Sequence, residues 1–326
     1  MMDAPMRTVP LDGALLTFDR NTGRSIVRED AMTAHLVQRA PRVVQFGITN
    51  ACNLACSFCS RDDLAKSEWT PESAFDLLAA LSEAGTLEVA FGGGEPFAFR
   101  GFAELVRRLR DETKLATSVT TNGMLLTPAI LEAVRGHVAQ IRMSIYDEEA
   151  WRPKIALLAK SGIRFGANVL VTPARLPKLE ALVLELQALG CRDVLVLAYK
   201  GPDEAMHLSA GQHVSLARSI GLLARALQGM RISLDICFGD RLALPRAMIG
   251  VDRQDCGAGR DFLVVTSDKR IMPCSFHREA IPFVDANELL RHFAQARAQL
   301  QKPVLDRSCA RNTAPSKHLP IWKDAP

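Results

Sequence analysis

Ile48-Thr49-Asn50-Ala51-Cys52-Asn53-Leu54-Ala55-Cys56-Ser57-Phe58-Cys59-Ser60 places three thiols directly behind an apolar, β-branched run that begins at Val43. Three thiolates with no neighbouring histidine are one ligand short of a closed structural zinc site or a closed Cys₄ iron–sulfur site. The spacing therefore points to a metal centre with one open coordination position, where a substrate or cofactor can bind. A second landmark, Phe91-Gly92-Gly93-Gly94-Glu95-Pro96, follows the next apolar run.

Outward from these landmarks, short β-branched runs alternate with longer amphipathic ones, the pattern of parallel βα units. Strands are expected at 43–49, 87–91, 115–120, 138–145, 163–171 and 193–199, with helices at 71–84, 102–112, 128–135, 151–160 and 176–189. Six strands with their crossovers fit an open partial barrel or a doubly wound sheet, and periodicity does not separate the two. The cysteine loop, the glycine run, Thr121-Asn122-Gly123 and Ser144 all end or follow expected strands. They share the strand edge on which parallel α/β proteins build their sites.

The CxxxCxxC spacing, with the aromatic Phe58 before its last cysteine and a Gly-Gly-Glu-Pro run at the end of the next strand, resembles the radical S-adenosylmethionine (SAM) superfamily. The resemblance implies a partial (β/α)₆ TIM-like barrel in which Cys52, Cys56 and Cys59 hold a [4Fe–4S] cluster. SAM would chelate the fourth iron and be cleaved reductively to methionine and a 5′-deoxyadenosyl radical, which abstracts hydrogen from a substrate. The same resemblance makes Phe58 an adenine contact and Gly92, Gly93 and Gly94 a place where backbone approaches SAM. Glu95 either meets the cofactor or orients that loop. Asn122, Ser144 and Asn168 match polar positions near the ribose or carboxylate, each with an ordinary turn or cap as its alternative. No separate catalytic residue stands out.

Further along, Cys256-Gly257-Ala258-Gly259-Arg260, an expected hairpin and Met272-Pro273-Cys274 resemble the auxiliary-cluster segment of relatives with SPASM or twitch extensions. With Cys237 and Cys309 they make four thiols, enough for a second [4Fe–4S] cluster; a Cys₄ zinc site is the alternative. Lys269 stands where that hairpin usually carries glycine. Cys191 fits neither set and is expected in the core. His137, His207, His213 and His277 form no ligand pair. The expected division is an arm with a hairpin (1–42), the barrel (43–230) and an auxiliary-cluster domain with a tail (231–326), opened by a strand near Arg231.

The 326 residues carry a formal charge of +4 and 48% hydrophobic residues, with acids and bases interspersed. Nothing in that balance marks a nucleic-acid partner or a membrane span, and the start, Met-Met-Asp-Ala-Pro, is unlike a signal peptide. The expected location is the cytoplasm, where eight cysteines mean metal or redox work. Arg107, Arg108 and Arg110 are expected on the solvated face of a helix. Auxiliary-cluster relatives often modify ribosomally made peptides, so a peptide is the expected substrate, with flavodoxin or ferredoxin as reductant. A dehydrogenase or rearrangement enzyme acting on a small metabolite is the alternative. An iron–sulfur or zinc scaffold without catalysis is the alternative of another class.

Overall fold

Strand order decides between the two sheet architectures. The computed structural model describes residues 6–56, 58–62, 64–145, 150–201, 203–242, 257–277 and 280–299. It opens with an antiparallel three-stranded sheet, β1 (Met6–Pro10), β2 (Leu15–Asp19) and β3 (Ser25–Arg28). Then come β4 (Val43–Thr49), β5 (Glu88–Gly93), β6 (Ala116–Thr121), β7 (Gln140–Ile145), β8 (Phe165–Val171), β9 (Asp193–Ala198) and β10 (Arg231–Leu234), each paired in parallel with the next. The order never reverses, as a doubly wound sheet must, so this is an arc of a TIM-like barrel.

Helices α1 (Pro71–Ala84), α2 (Phe102–Glu112), α3 (Pro128–Val134), α4 (Arg152–Lys160), α5 (Leu179–Ala188) and α6 (Ala210–Ala226) connect these strands. At the free edge of β4 the sheet continues through β11 (Phe262–Val265), parallel to β4, and then antiparallel β12 (Arg270–Met272) and β13 (Ile281–Pro282). Helix α7 (Ala286–Gln299) follows. Strand β10, where the second domain is expected to open, pairs in parallel with β9 at one edge of the barrel sheet. The hairpin expected in that domain joins the same sheet at its other edge. Both additions cover strand edges that would otherwise expose unpaired backbone groups.

Alternation along each strand separates helix-facing from concave-facing positions. In β4, Val44, Phe46 and Ile48 are buried in the helix-side core, where Phe46 packs on Trp69 at 4.9 Å and Phe91 at 5.6 Å. Gln45, Gly47 and Thr49 take the other face. Helix α1 starts at a capping box between Thr70 and Ser73, with Pro71 in its first turn, and stops at Gly85 with φ 123°. Helix α2 buries Phe102, Leu105, Val106 and Leu109, while Arg107 pairs with Glu104 and Asp111, and Arg108 with Glu112. Arg107 is solvated, as expected, whereas Arg108 is half-buried with its guanidinium 3.7 Å from the centre of the Phe75 ring.

One end of the barrel is closed. Val9, Leu11, Ala14, Leu16 and Phe18 of the first sheet pack against Leu87, Ala116 and Ala139, which stand where β5, β6 and β7 begin. Arg20 fastens this plug to α2 by donating to the Thr113 carbonyl at 2.6 Å and the Arg110 carbonyl at 3.0 Å. Above it, Asp193 takes Arg142 Nη2 at 2.7 Å and Arg231 Nε at 2.6 Å, Arg142 Nη1 reaches Asn168 at 3.4 Å, and Ser118 donates to Glu88 at 2.8 Å. These polar contacts, the floor of the barrel, lie toward the plug, and the cysteine loop follows β4 at the opposite end of the strands.

Part of Glu88 remains accessible, yet its carboxyl is enclosed, and burial pushes its pKa above the ordinary 4.5 against the pull of Ser118 and Arg142. The folded chain therefore holds this proton more tightly than the unfolded chain does. The stability it contributes is complete below 4.5 and is lost as pH rises through the folded value. Between pH 5 and pH 8, Glu88→Gln should gain on wild type in denaturant melts; a gap independent of pH would show that the carboxyl does not titrate across folding.

Candidate active site

Asn50, buried just before the first cysteine, shapes the loop that follows β4. Its amide nitrogen donates to the carbonyls of Asp62 (2.8 Å) and Ala65 (2.6 Å), and its backbone N–H donates to Ser67 Oγ at 2.7 Å. Arg61 donates to the Asn50 carbonyl from the other side. The chain from 50 to 67 is thus folded back on itself, with Cys52 and Cys56 half-buried and Cys59 exposed. Burial raises the Cys56 pKa, the neighbouring Cys59 and Cys52 add to this, and Arg61 opposes it. Three thiols that feel one another fit a [4Fe–4S] group. Among the described residues, no three His, Cys, Asp or Glu side chains group tightly enough to hold a metal ion. A cluster binds each thiolate at a different iron, so its ligands surround a volume instead of meeting at a point.

The glycine run proves to be a joint between this loop and the sheet. A Cβ on Gly94 would lie 2.1 Å from the Ala51 carbonyl oxygen, and one on Gly93, at φ +97°, 2.7 Å from the Thr49 oxygen and 2.8 Å from Gly47 Cα. Gly94 N–H donates to Thr49 O at 2.7 Å and Glu95 N–H to Ala51 O at 2.8 Å. The fold itself thus requires glycine at these two positions, because the space where a Cβ would stand is filled by the chain's own backbone. Gly92 differs: nothing lies within 4 Å of its would-be Cβ, on the concave face it shares with Ala90 and Glu88.

Glu95, 1% exposed, spends its carboxylate on the protein. One oxygen accepts from Thr121 Oγ1 at 2.8 Å and Phe97 N–H at 3.2 Å, the other from Asn122 N–H at 2.9 Å. It bolts the end of β5 to the end of β6, and burial raises its pKa although these donors oppose the rise. Asn122, so held, directs Nδ2 to Asn53 Oδ1 at 2.8 Å and Cys52 Sγ at 3.8 Å. Phe58 sits half-buried within the cysteine loop. Ser144, buried near the end of β7, faces Asn168 across the β7–β8 ladder. Asn168 belongs to the floor through Arg142, one layer below the end that bears the cysteine loop.

The second thiol set is described in half, since Cys256 and Cys309 lie outside the described residues. Cys237 and Cys274 come from opposite ends of the sheet, one just past β10 and the other just past β12, close enough for Cys274 to raise the Cys237 pKa. Burial is the larger cause, and together with Asp235 pushes that thiol up to about 12. The segment carrying Cys274 reaches across the barrel mouth: Ser275 Oγ donates to Gln45 on β4 at 3.3 Å, and the Phe276 ring lies 4.5 Å from Lys200 Nζ beyond β9. Lys269, in the β11–β12 turn, has φ +56°, a left-handed backbone that favours glycine. Cys191 is buried in the core, its thiol 3.3 Å from the Asp193 carbonyl. His207 and His213 bond the backbone carbonyls of Gly201 and Ser209. No described helix is long and apolar enough to cross a membrane.

Sequence reading overlooked Asn50, Arg61, Ser67 and Lys200. Asn50 and Ser67 flank the cysteines and could have been suspected as loop ties; nothing local marks Lys200.

A family model for the radical SAM superfamily matches residues 46–146. The PqqA peptide cyclase of Gluconobacter oxydans is 30% identical over 259 residues, 70% of this chain and 68% of that protein. A probable GTP 3′,8-cyclase of Methanothermobacter marburgensis is 32% identical over 98 residues, 29% of this chain and 32% of that protein. In fold, the chain is similar to Streptococcus suis SuiB bound to precursor peptide SuiA, at a TM-score of 0.69 and 12% identity over 89% of this chain and 87% of that one.

Proposed function

The chain belongs to the radical SAM superfamily, and from that membership we propose that it modifies a ribosomally made peptide by SAM-dependent hydrogen abstraction. One observation carries the peptide. Similarity to the peptide cyclase of Gluconobacter oxydans runs for 259 residues, far past the family segment at 46–146, whereas similarity to the GTP cyclases of Methanothermobacter marburgensis and Chlorobaculum tepidum runs for 98 and 170.

Cys52, Cys56 and Cys59 would hold the SAM-binding [4Fe–4S] cluster, and Cys237, Cys256, Cys274 and Cys309 an auxiliary one in a twitch-like arrangement spanning 231–326. When bound, the first cluster and SAM supply one-electron reduction, fed by flavodoxin or ferredoxin, and a hydrogen-abstracting carbon. The protein's share is position and dryness. Asn122, fixed by Glu95, presents its amide beside Cys52. Gly92 leaves the concave face open for SAM, Phe58 would flank the adenine, and Ser144 and Asn168 offer polar groups deeper in. The floor and the first sheet would exclude water from below.

An extended peptide also has a place to pair. Strand β3 is an edge, with Ile26 68% and Val27 53% exposed. It belongs to the plug at the closed end, while the cysteine loop lies at the far ends of the strands. A seven-residue strand such as β4 spans roughly 23 Å. A peptide held at β3 would thus reach the site only through about seven or more extended residues.

Peptides encoded beside the gene, incubated with the anaerobically reconstituted enzyme, dithionite and SAM, should change mass and pass deuterium into 5′-deoxyadenosine. Transfer from a small metabolite, with none from any such peptide, would reassign the enzyme to metabolite dehydrogenation or rearrangement. Absence of SAM cleavage by the loaded, reduced protein would support the scaffold.

A further inference from the structure

Lys200 and Asp235 form an ion pair that neither the barrel core nor the SAM site uses. They follow β9 and β10, their side chains are each 10% exposed, and Nζ lies 2.6 Å from Oδ2. Asp235 is fixed in turn, accepting from Cys237 N–H at 3.1 Å and Ala198 N–H at 3.4 Å. On its other side the ammonium stands 4.5 Å from the centre of the Phe276 ring, two residues beyond Cys274. It also lies within hydrogen-bonding reach of the Cys237 thiol. A cation this enclosed costs desolvation and persists only with partners that hold it in place. Among the described residues, Asp235 and Phe276 each lie two residues from a thiol, Cys237 and Cys274 respectively.

We propose that Lys200 is a positioning residue of the auxiliary cluster site, a fixed cation donating to the Cys237 sulfur that raises the reduction potential of the cluster held there. The proposal rests on reading Cys237 and Cys274 as ligands of that cluster. One-electron reduction adds one negative charge to the cluster, and a cation a few ångströms away in a poorly solvated site stabilises the reduced form over the oxidised one. Asp235 opposes this, being close to the same sulfur. Removing Lys200 alone therefore has a double effect: the favourable charge goes and the unfavourable one loses its partner. Asp235 thus orients the ammonium at a cost to the potential, and both charges of the pair bear on Cys237, so Lys200 offsets the carboxylate beside that sulfur.

The test uses the full chain carrying Cys52→Ala/Cys56→Ala/Cys59→Ala, reconstituted without oxygen so that only the auxiliary cluster remains, and followed by EPR during reduction against a dithionite-poised potential. Lys200→Met should lower the midpoint enough to change the reduced-to-oxidised ratio at least about tenfold, which is about 59 mV for one electron. Lys200→Arg, which keeps the charge, should stay near the parent. Asp235→Asn should shift the midpoint upward, and Lys200→Met/Asp235→Asn should return it most of the way. An unchanged midpoint in Lys200→Met and Asp235→Asn, with iron content retained, overturns the role of Lys200 while leaving the cluster in place. A parent chain that binds no iron–sulfur cluster overturns the auxiliary site and this role together. If Lys200→Met does not load, Asp235→Asn, which keeps Lys200, still decides: an upward midpoint supports the pair's action on the cluster, and an unchanged one overturns it.

Discussion

In Cys56→Ala, formation of 5′-deoxyadenosine from SAM by the reduced protein should fall by at least about a thousandfold, to background. With Cys52 and Cys59 also replaced, iron and sulfide per chain should fall by about half, the remainder belonging to the auxiliary set. Wild type should cleave SAM slowly even without substrate, so the loss can be read before the substrate is known. Burial, then Cys59 and Cys52, make the Cys56 thiol harder to ionise, and Arg61 opposes them. Two thiolates remain in Cys56→Ala, but the loop around them is held by Asn50, Arg61 and Ser67 and cannot close on a smaller ligand set. Unchanged iron content in the triple variant would remove the cluster from this loop. Full iron content in Cys56→Ala, with cleavage lost, would give Cys56 another role than ligand.

Helices α1 and α2 were legible to the residue because their ends are chemical: Thr70 and Pro71 start one, Gly85 stops it, and Gly101 with φ 85° precedes the other. Strand starts were less so. The expectation placed them at Val138 and Ile163, but β7 begins at Gln140 and β8 at Phe165, since both residues are buried in the approach to a strand without joining it. Apolarity reports burial and not pairing. The expected 176–189 helix likewise divides into a 3₁₀ turn at Leu176–Lys178, with Pro177 in its first turn, and α5 from Leu179.

At the site, the cysteine spacing was visible because its ligands are neighbours in sequence. The sheet around it was not. Strand β11 pairs with β4 across more than two hundred residues, and no local pattern encodes such a partner. Nor does any encode the Lys200–Asp235 pair, which exists only because β9 and β10 end side by side. Glu95 shows the same limit in reverse. Its place in the motif was plain, yet whether it would face a cofactor or brace the chain depended on donors from Thr121 and Asn122, which register alone brings near.

The glycines carry the second large effect. Gly94→Ala should destabilise the fold by roughly 1–3 kcal/mol or more and leave the chain unable to load its SAM-binding cluster. The reason is contact within the protein. Its Cβ would stand 2.1 Å from Ala51 O, 2.7 Å from Ala51 C and 2.9 Å from Asn50 C, all backbone atoms with no rotamer to yield. Relief requires Ala51 to move away from β5, which breaks the Glu95 N–H to Ala51 O bond of 2.8 Å and displaces Cys52, the next residue. Asn122 then loses its place beside that thiol, because its backbone is tied to Glu95. Gly92→Ala is the control, since its Cβ enters open space; melting and iron content should match wild type, and any loss should appear as weaker SAM binding. Equal melting and equal cluster content in Gly94→Ala would mean that the loop tolerates the displacement, and that the glycine run is an ordinary turn and not the joint that sets the cysteines against the sheet.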